Sequence, residues 1–105
     1  MAATALLDRL YARLPEASLG ALREVLALAR RRRLDVYLAG GAVRDLLLGQ
    51  EQVDLDVIVE GDAIALAKEA AARLDARAVA HTRFGTAVLR GREFRLDLAR
   101  ARSER

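Results

Sequence analysis

The 105-residue sequence predicts one α+β domain, a small mixed sheet packed on helices with one sheet face partly open. Three observations predict it. Apolar residues recur at helical spacing in the first third of the chain, and period-two alternation marks three short segments in the last third. Between them the segments alternate, giving the order helix, helix, strand, helix, strand, helix, then strands. A chain of this length encloses a single core. Residues 1–105 are therefore read as one domain, with a helical N-terminal segment (1–33) and a core (34–105).

"TALLDRLYARL" places Leu6, Leu7, Leu10 and Leu14 at helical spacing, and Pro15 ends that helix. A second helix is expected from Ser18 as N-cap through Leu19, Leu22, Val25, Leu26 and Ala29. The run Arg30 to Arg33 then opposes the negative end of its dipole. "DVYLAG" reads as a strand entering Gly40-Gly41, followed by a short helix through Leu48 that Gly49 closes. "VDLDVIVEG" is the next strand. Asp62 reads as the N-cap of "AIALAKEAAARL", a helix with Ile64, Ala67, Ala71 and Leu74 on one face. "ARAVAH", "GTAVLR" and "EFRLDLA" read as strands; in the last, Phe94, Leu96 and Leu98 point one way and Arg95 and Asp97 the other.

Composition narrows the chemistry. Cysteine is absent and His81 is the sole histidine, which excludes disulfides, thiolate metal centres and histidine-rich ones, so any metal is held by oxygen. No apolar run approaches the roughly 18 residues that cross a bilayer, and Asp8, Arg9 and Arg13 interrupt the N-terminal stretch where a signal peptide needs apolar residues. A cytoplasmic protein without a membrane partner is expected. Residues 1–33 carry seven Arg against three acids, 34–82 four basic residues against nine acids, and 83–105 seven Arg against three acids. An acidic middle between basic ends suits a cation site flanked by phosphate-binding surface. Any single Arg is more simply a solvated side chain.

Asp54 and Asp56 fall on one strand face, about 6 to 7 Å apart at their Cα atoms. Such a pair is either solvated on an open face or holds a cation. Asp97 joins it if its own strand lies alongside with the polar face turned the same way; three carboxylates on one face suit two Mg²⁺ ions. Gly40 and Gly41, between a strand and a helix, leave bare N–H groups and a positive helix end open to an anion. Alone they would mean a tight turn. Beside a carboxylate pair they read as a phosphate cradle, with Arg44 one turn into the helix and Asp45 either positioning Arg44 or capping the local structure.

"YLAGGAVRDLLLG", "VDLDVIVEGD", "FGTAVL" and "LDLARARSE" resemble successive motifs of the nucleotidyltransferase head of the class II tRNA nucleotidyltransferase (CCA-adding) and bacterial poly(A) polymerase family. The resemblance spans about residues 34–105. It implies a polymerase-β-like head, with Gly40, Gly41 and Arg44 on the triphosphate and Asp45 beside them. It also implies Asp54 and Asp56 as ligands of the catalytic metals, with Asp97 as the third carboxylate. Arg102 and Glu104 match the end of the family's D-x-A-x-x-R-x-E pattern and shape the nucleotide site. The implied reaction is two-metal Mg²⁺-dependent transfer of CMP or AMP from CTP or ATP to an RNA 3′-hydroxyl, a tRNA end, with release of pyrophosphate. Arg83, Arg90, Arg92 and Arg95 would accompany the phosphates or the RNA backbone.

The family continues past this sequence with an Arg-Arg-Asp segment, a neck whose Glu-Asp-x-x-Arg motif reads the base, and RNA-binding body and tail. The head is thus expected to be incomplete at its C-terminus, with a second copy or a partner chain covering the cut edge. Two other readings stand beside this one: a standalone nucleotidyltransferase acting on a non-RNA acceptor, and a noncatalytic nucleotide-binding module. Phe84 and Tyr37 are expected in the core, Gly85 at a bend between strands, and His81 at the surface.

Overall fold

Pro15, and not Ser18, starts the first helix seen in the computed structural model, which describes residues 15–38 and 55–101. Helix α1 spans Glu16–Arg31, and the Pro15 carbonyl accepts the Leu19 N–H at 2.9 Å. Proline's fixed φ, here −56°, is already set for helix entry, and its missing N–H removes a donor that would have no partner there. Glu16 adds a negative charge at the positive end of the dipole. Ser18 is instead buried inside the helix. Arg30 and Arg31 occupy the last turn, as expected. The helix expected over 4–14, the Gly40-Gly41 turn with its helix, and residues 102–105 lie outside the described residues.

The remaining elements are β1 (Val36–Leu38), β2 (Leu55–Val59), α2 (Ala63–Leu74), β3 (Arg77–His81), β4 (Thr86–Arg90) and β5 (Arg95–Arg100). The sheet order is β1-β2-β5-β4-β3, with β2 and β5 parallel and every other pair antiparallel. The α2-β3-β4 segment therefore leaves β2 and returns the chain to the strand beside it. Among the described residues no helix is long and apolar enough to cross a membrane.

One face of the sheet is closed. Leu55, Val57, Val59, Ala87, Leu89, Leu96 and Leu98 are buried beneath α1 and α2, which contribute Leu22, Val25, Leu28, Leu66 and several alanines. On α2 the alanines Ala63, Ala67, Ala70 and Ala71 let the helix axis approach the sheet closely, while Ile64 and Leu74 sit half-buried at the margin of the face they were expected to centre. Exposed ion pairs join the helical layer: Arg32 to Glu69 at 3.1 Å and Arg73 to Glu24 at 2.6 Å. The Arg32 guanidinium, through its hydrogen bonds and charge, holds the Glu69 carboxyl below its ordinary range. Exposed pairs of this kind contribute little to stability.

Asp62 is the expected cap: its Oδ1 accepts the Ala65 N–H at 3.0 Å. Asp62→Ala is expected to cost about 1 kcal/mol, read as a melting temperature lower by about 4–8 °C, with Asp62→Asn recovering most of the loss.

Candidate functional site

Burial of Leu55, Val57 and Val59 under the helices turns Asp56 and Ile58 to the opposite face of the sheet, which is helix-free among the described residues. The same alternation on β5 buries Leu96 and Leu98 and turns out Arg95, Asp97 and Ala99. Parallel pairing of β2 with β5 then sets Asp56 directly opposite Asp97, one inter-strand spacing of about 4.8 Å away. The condition placed on Asp97, a neighbouring strand with its polar face turned the same way, is met. Both side chains are half-buried and line an open concavity of about 450 Å³ together with Ile58, Thr86, Val88, Arg95 and Ala99.

Two carboxylates opposed across a sheet repel each other unless positive charge stands beside them. Arg95 Nε donates to Asp97 Oδ1 at 3.2 Å and supplies part of that charge. Asp56 also has interactions of its own. Both aspartates offer hard oxygen donors, with no thiolate or imidazole among the residues lining the concavity. Among the described residues no three acidic or histidine side chains gather as a metal cluster. Asp54, which the sequence pairs with Asp56, lies outside the described residues, as do Gly40, Gly41, Arg44, Asp45, Arg102 and Glu104.

Two expectations need correction. Tyr37 and Phe84 are not core residues; they are 53% and 65% exposed. Tyr37 stands opposite Ile58 and so shares the helix-free face. Its phenol is held above its ordinary pKa chiefly by the neighbouring Glu60 carboxylate, which opposes ionisation. Phe84 belongs to the turn joining β3 to β4, where Arg83 lies over its ring at 5.7 Å from the centroid. Gly85, at φ 66°, makes the bend expected of it. His81 is exposed, opposite Thr86 on the edge strand β3.

One charged residue that the sequence reading passed over belongs to this face. Arg77 stands opposite Arg90, which stands opposite Arg95, so three guanidinium-bearing positions align across β3, β4 and β5. A signal for Arg77 existed: counting outward from the 82–85 turn brings 77 opposite 90.

Residues 36–105 match the poly A polymerase head domain family. Over 76 residues the chain is 46% identical to an A-adding tRNA nucleotidyltransferase of Geobacter sulfurreducens, an alignment covering 72% of this chain and 9% of that protein. The CCA-adding enzyme of Thermotoga maritima, solved in complex with tRNA, superposes with a TM-score of 0.81 at 36% identity, over 92% of this chain and 24% of its own. A tRNA nucleotidyltransferase solved with a primer tRNA and an incoming ATP analogue is 45% identical, with a TM-score of 0.68, over 74% of this chain and 23% of its own. The chain thus spans at most about a quarter of the relatives it matches, and the region of likeness is their head. With the five-stranded mixed sheet and two helices seen among the described residues and 70 residues matched, the chain belongs to the poly A polymerase head domain family.

Proposed function

We propose that this chain is the nucleotidyl-transfer head of a tRNA-processing enzyme, moving CMP or AMP from CTP or ATP to the 3′-hydroxyl of an RNA, a tRNA end, with loss of pyrophosphate. The observation that carries the proposal is the pairing of Asp56 with Asp97 on the helix-free face, in a concavity open to solvent. The likeness to enzymes crystallised with tRNA and with an ATP analogue supports the choice of substrates.

In the transfer, the RNA 3′-oxygen attacks the α-phosphorus as the hydroxyl gives up its proton to solvent water, which reaches the open concavity. The bond from that phosphorus to the oxygen bridging the β-phosphate breaks, and pyrophosphate departs. The oxygen donors of Asp56 and Asp97 fit Mg²⁺, and with Asp54 they would hold it. When bound, Mg²⁺ lowers the pKa of the attacking hydroxyl and offsets charge on the leaving phosphates. Arg95 is hydrogen-bonded to Asp97 at the concavity, and Ile58 and Val88 add apolar side chains to its lining. Gly40, Gly41 and Arg44, with Asp45 and Arg102, are assigned to the triphosphate on family likeness.

The test is incorporation of labelled CTP and ATP onto a tRNA lacking its 3′ end, in Mg²⁺, by this chain and by its Asp54→Ala, Asp56→Ala double variant. Incorporation that the double substitution abolishes is the expected result. Absence of both incorporation and Mg²⁺-dependent ATP binding would overturn the assignment. Intact ATP binding without incorporation would favour the noncatalytic nucleotide-binding reading.

A further inference from the structure

The helix-free face carries two parallel rows that cross β5, β4 and β3. One is Asp97, Val88 and Val79; the other, one pleat further along, is Arg95, Arg90 and Arg77. Like charges set directly opposite one another cost stability, so folding does not explain three aligned arginines. Arg95 is tied to Asp97. Among the described residues Arg90 and Arg77 have no carboxylate partner within ion-pair distance, and with Arg92 they line a second concavity of about 390 Å³, whose other walls are Asp75, Ala76 and Gly91. The neighbouring row is also unusual, because Val79 is 43% exposed on an edge strand.

We infer that Arg77, Arg90 and Arg92, continuing from Arg95, form a track for the sugar-phosphate backbone of the RNA strand whose 3′ end reaches Asp56 and Asp97, with Val88 and Val79 as an apolar shelf for its riboses and bases. The inference rests on the proposed transfer reaction and names where its acceptor strand lies. Charge and length choose RNA over the nucleotide. The track starts beside the carboxylates at Arg95 and runs two inter-strand spacings, about 10 Å, to the sheet edge. A triphosphate gathered at the carboxylates is compact, whereas a strand leading away from them is extended and carries phosphates at intervals. Guanidinium groups on such a path fix position without reading sequence.

The experiment measures binding of a short fluorescent single-stranded RNA by anisotropy across a salt series, alongside Mg²⁺-ATP binding, for the full chain and its variants. For the triple variant Arg77→Gln, Arg90→Gln, Arg92→Gln, RNA affinity is expected to fall roughly tenfold or more, alike for different sequences. The slope of log affinity against log salt should shrink by about 0.7 for each phosphate no longer neutralised, about 2 in all. ATP binding should hold, and the matching triple Arg→Lys variant should retain most RNA affinity because charge is what acts. Arg73→Gln, on the helical side, should change neither ligand. Unchanged RNA affinity and slope in the Gln variant would overturn the track, as would a loss confined to ATP. A wild-type chain that binds ATP but no RNA also overturns it while leaving the nucleotide site standing; a chain that binds neither removes the proposed function as well.

Discussion

If the proposed transfer reaction holds, Asp56→Asn is expected to lower nucleotide incorporation by about 10³-fold or more and to abolish the rise in melting temperature expected of the wild-type chain in Mg²⁺. The first figure follows from the several kcal/mol of charge stabilisation that a bound divalent ion supplies, at 1.36 kcal/mol for each factor of ten. The second follows from linkage: an ion at ten times its dissociation constant stabilises the native state by about 1.4 kcal/mol, about 6–11 °C for a domain of this size. Asparagine keeps the size of aspartate and removes the charge, so the sheet is left in place while the proposed ion site would lose a ligand. Asp97→Asn, at the register-paired position, should move both readouts the same way. Glu69→Gln removes a carboxylate from the helical side, where its partner is Arg32, and should alter neither. A full Mg²⁺-dependent shift surviving in Asp56→Asn would show that the ion binds elsewhere.

Much of this face was legible because period-two alternation is local. The alternation in 93–99 separated Leu96 and Leu98 from Asp97 without any knowledge of neighbours, and Asp62 announced its helix by preceding a run of strong helix formers. What lay beyond reach was pairing between distant strands. Whether Asp97 met Asp56 depended on β5 lying beside β2 and not beside β3, which the chain order of the segments does not fix. The same holds for Tyr37, since a lone aromatic on a short strand reads as core until β1 is placed at an edge with Tyr37 on the uncovered side. Ser18 misled for a different reason. Pro15 both closes one helical pattern and opens another, and a proline at a helix start competes with the side-chain cap that serine offers three residues later.

Leu96→Ala is the other substitution with a large expected effect, a loss of about 2–5 kcal/mol from a domain whose whole stability is about 5–15 kcal/mol. Leu96 is fully buried on β5 and stands between Leu55 on β2 and Leu89 on β4, both equally buried, so its removal opens a void in the middle of the sheet's closed face. The urea midpoint should fall with little change in slope, and Leu96→Met, which conserves volume, should lose less than about 1.5 kcal/mol. The effect on the site goes beyond stability. A slip of one residue in β5 would bury Asp97 and expose Leu96 and Leu98, and the cost of that exchange is what keeps Asp97 opposite Asp56. Weakening the apolar side of β5 should therefore impair Mg²⁺ binding even where circular dichroism reports a folded chain. Wild-type Mg²⁺ affinity in folded Leu96→Ala would mean that other strand contacts hold the register without this leucine.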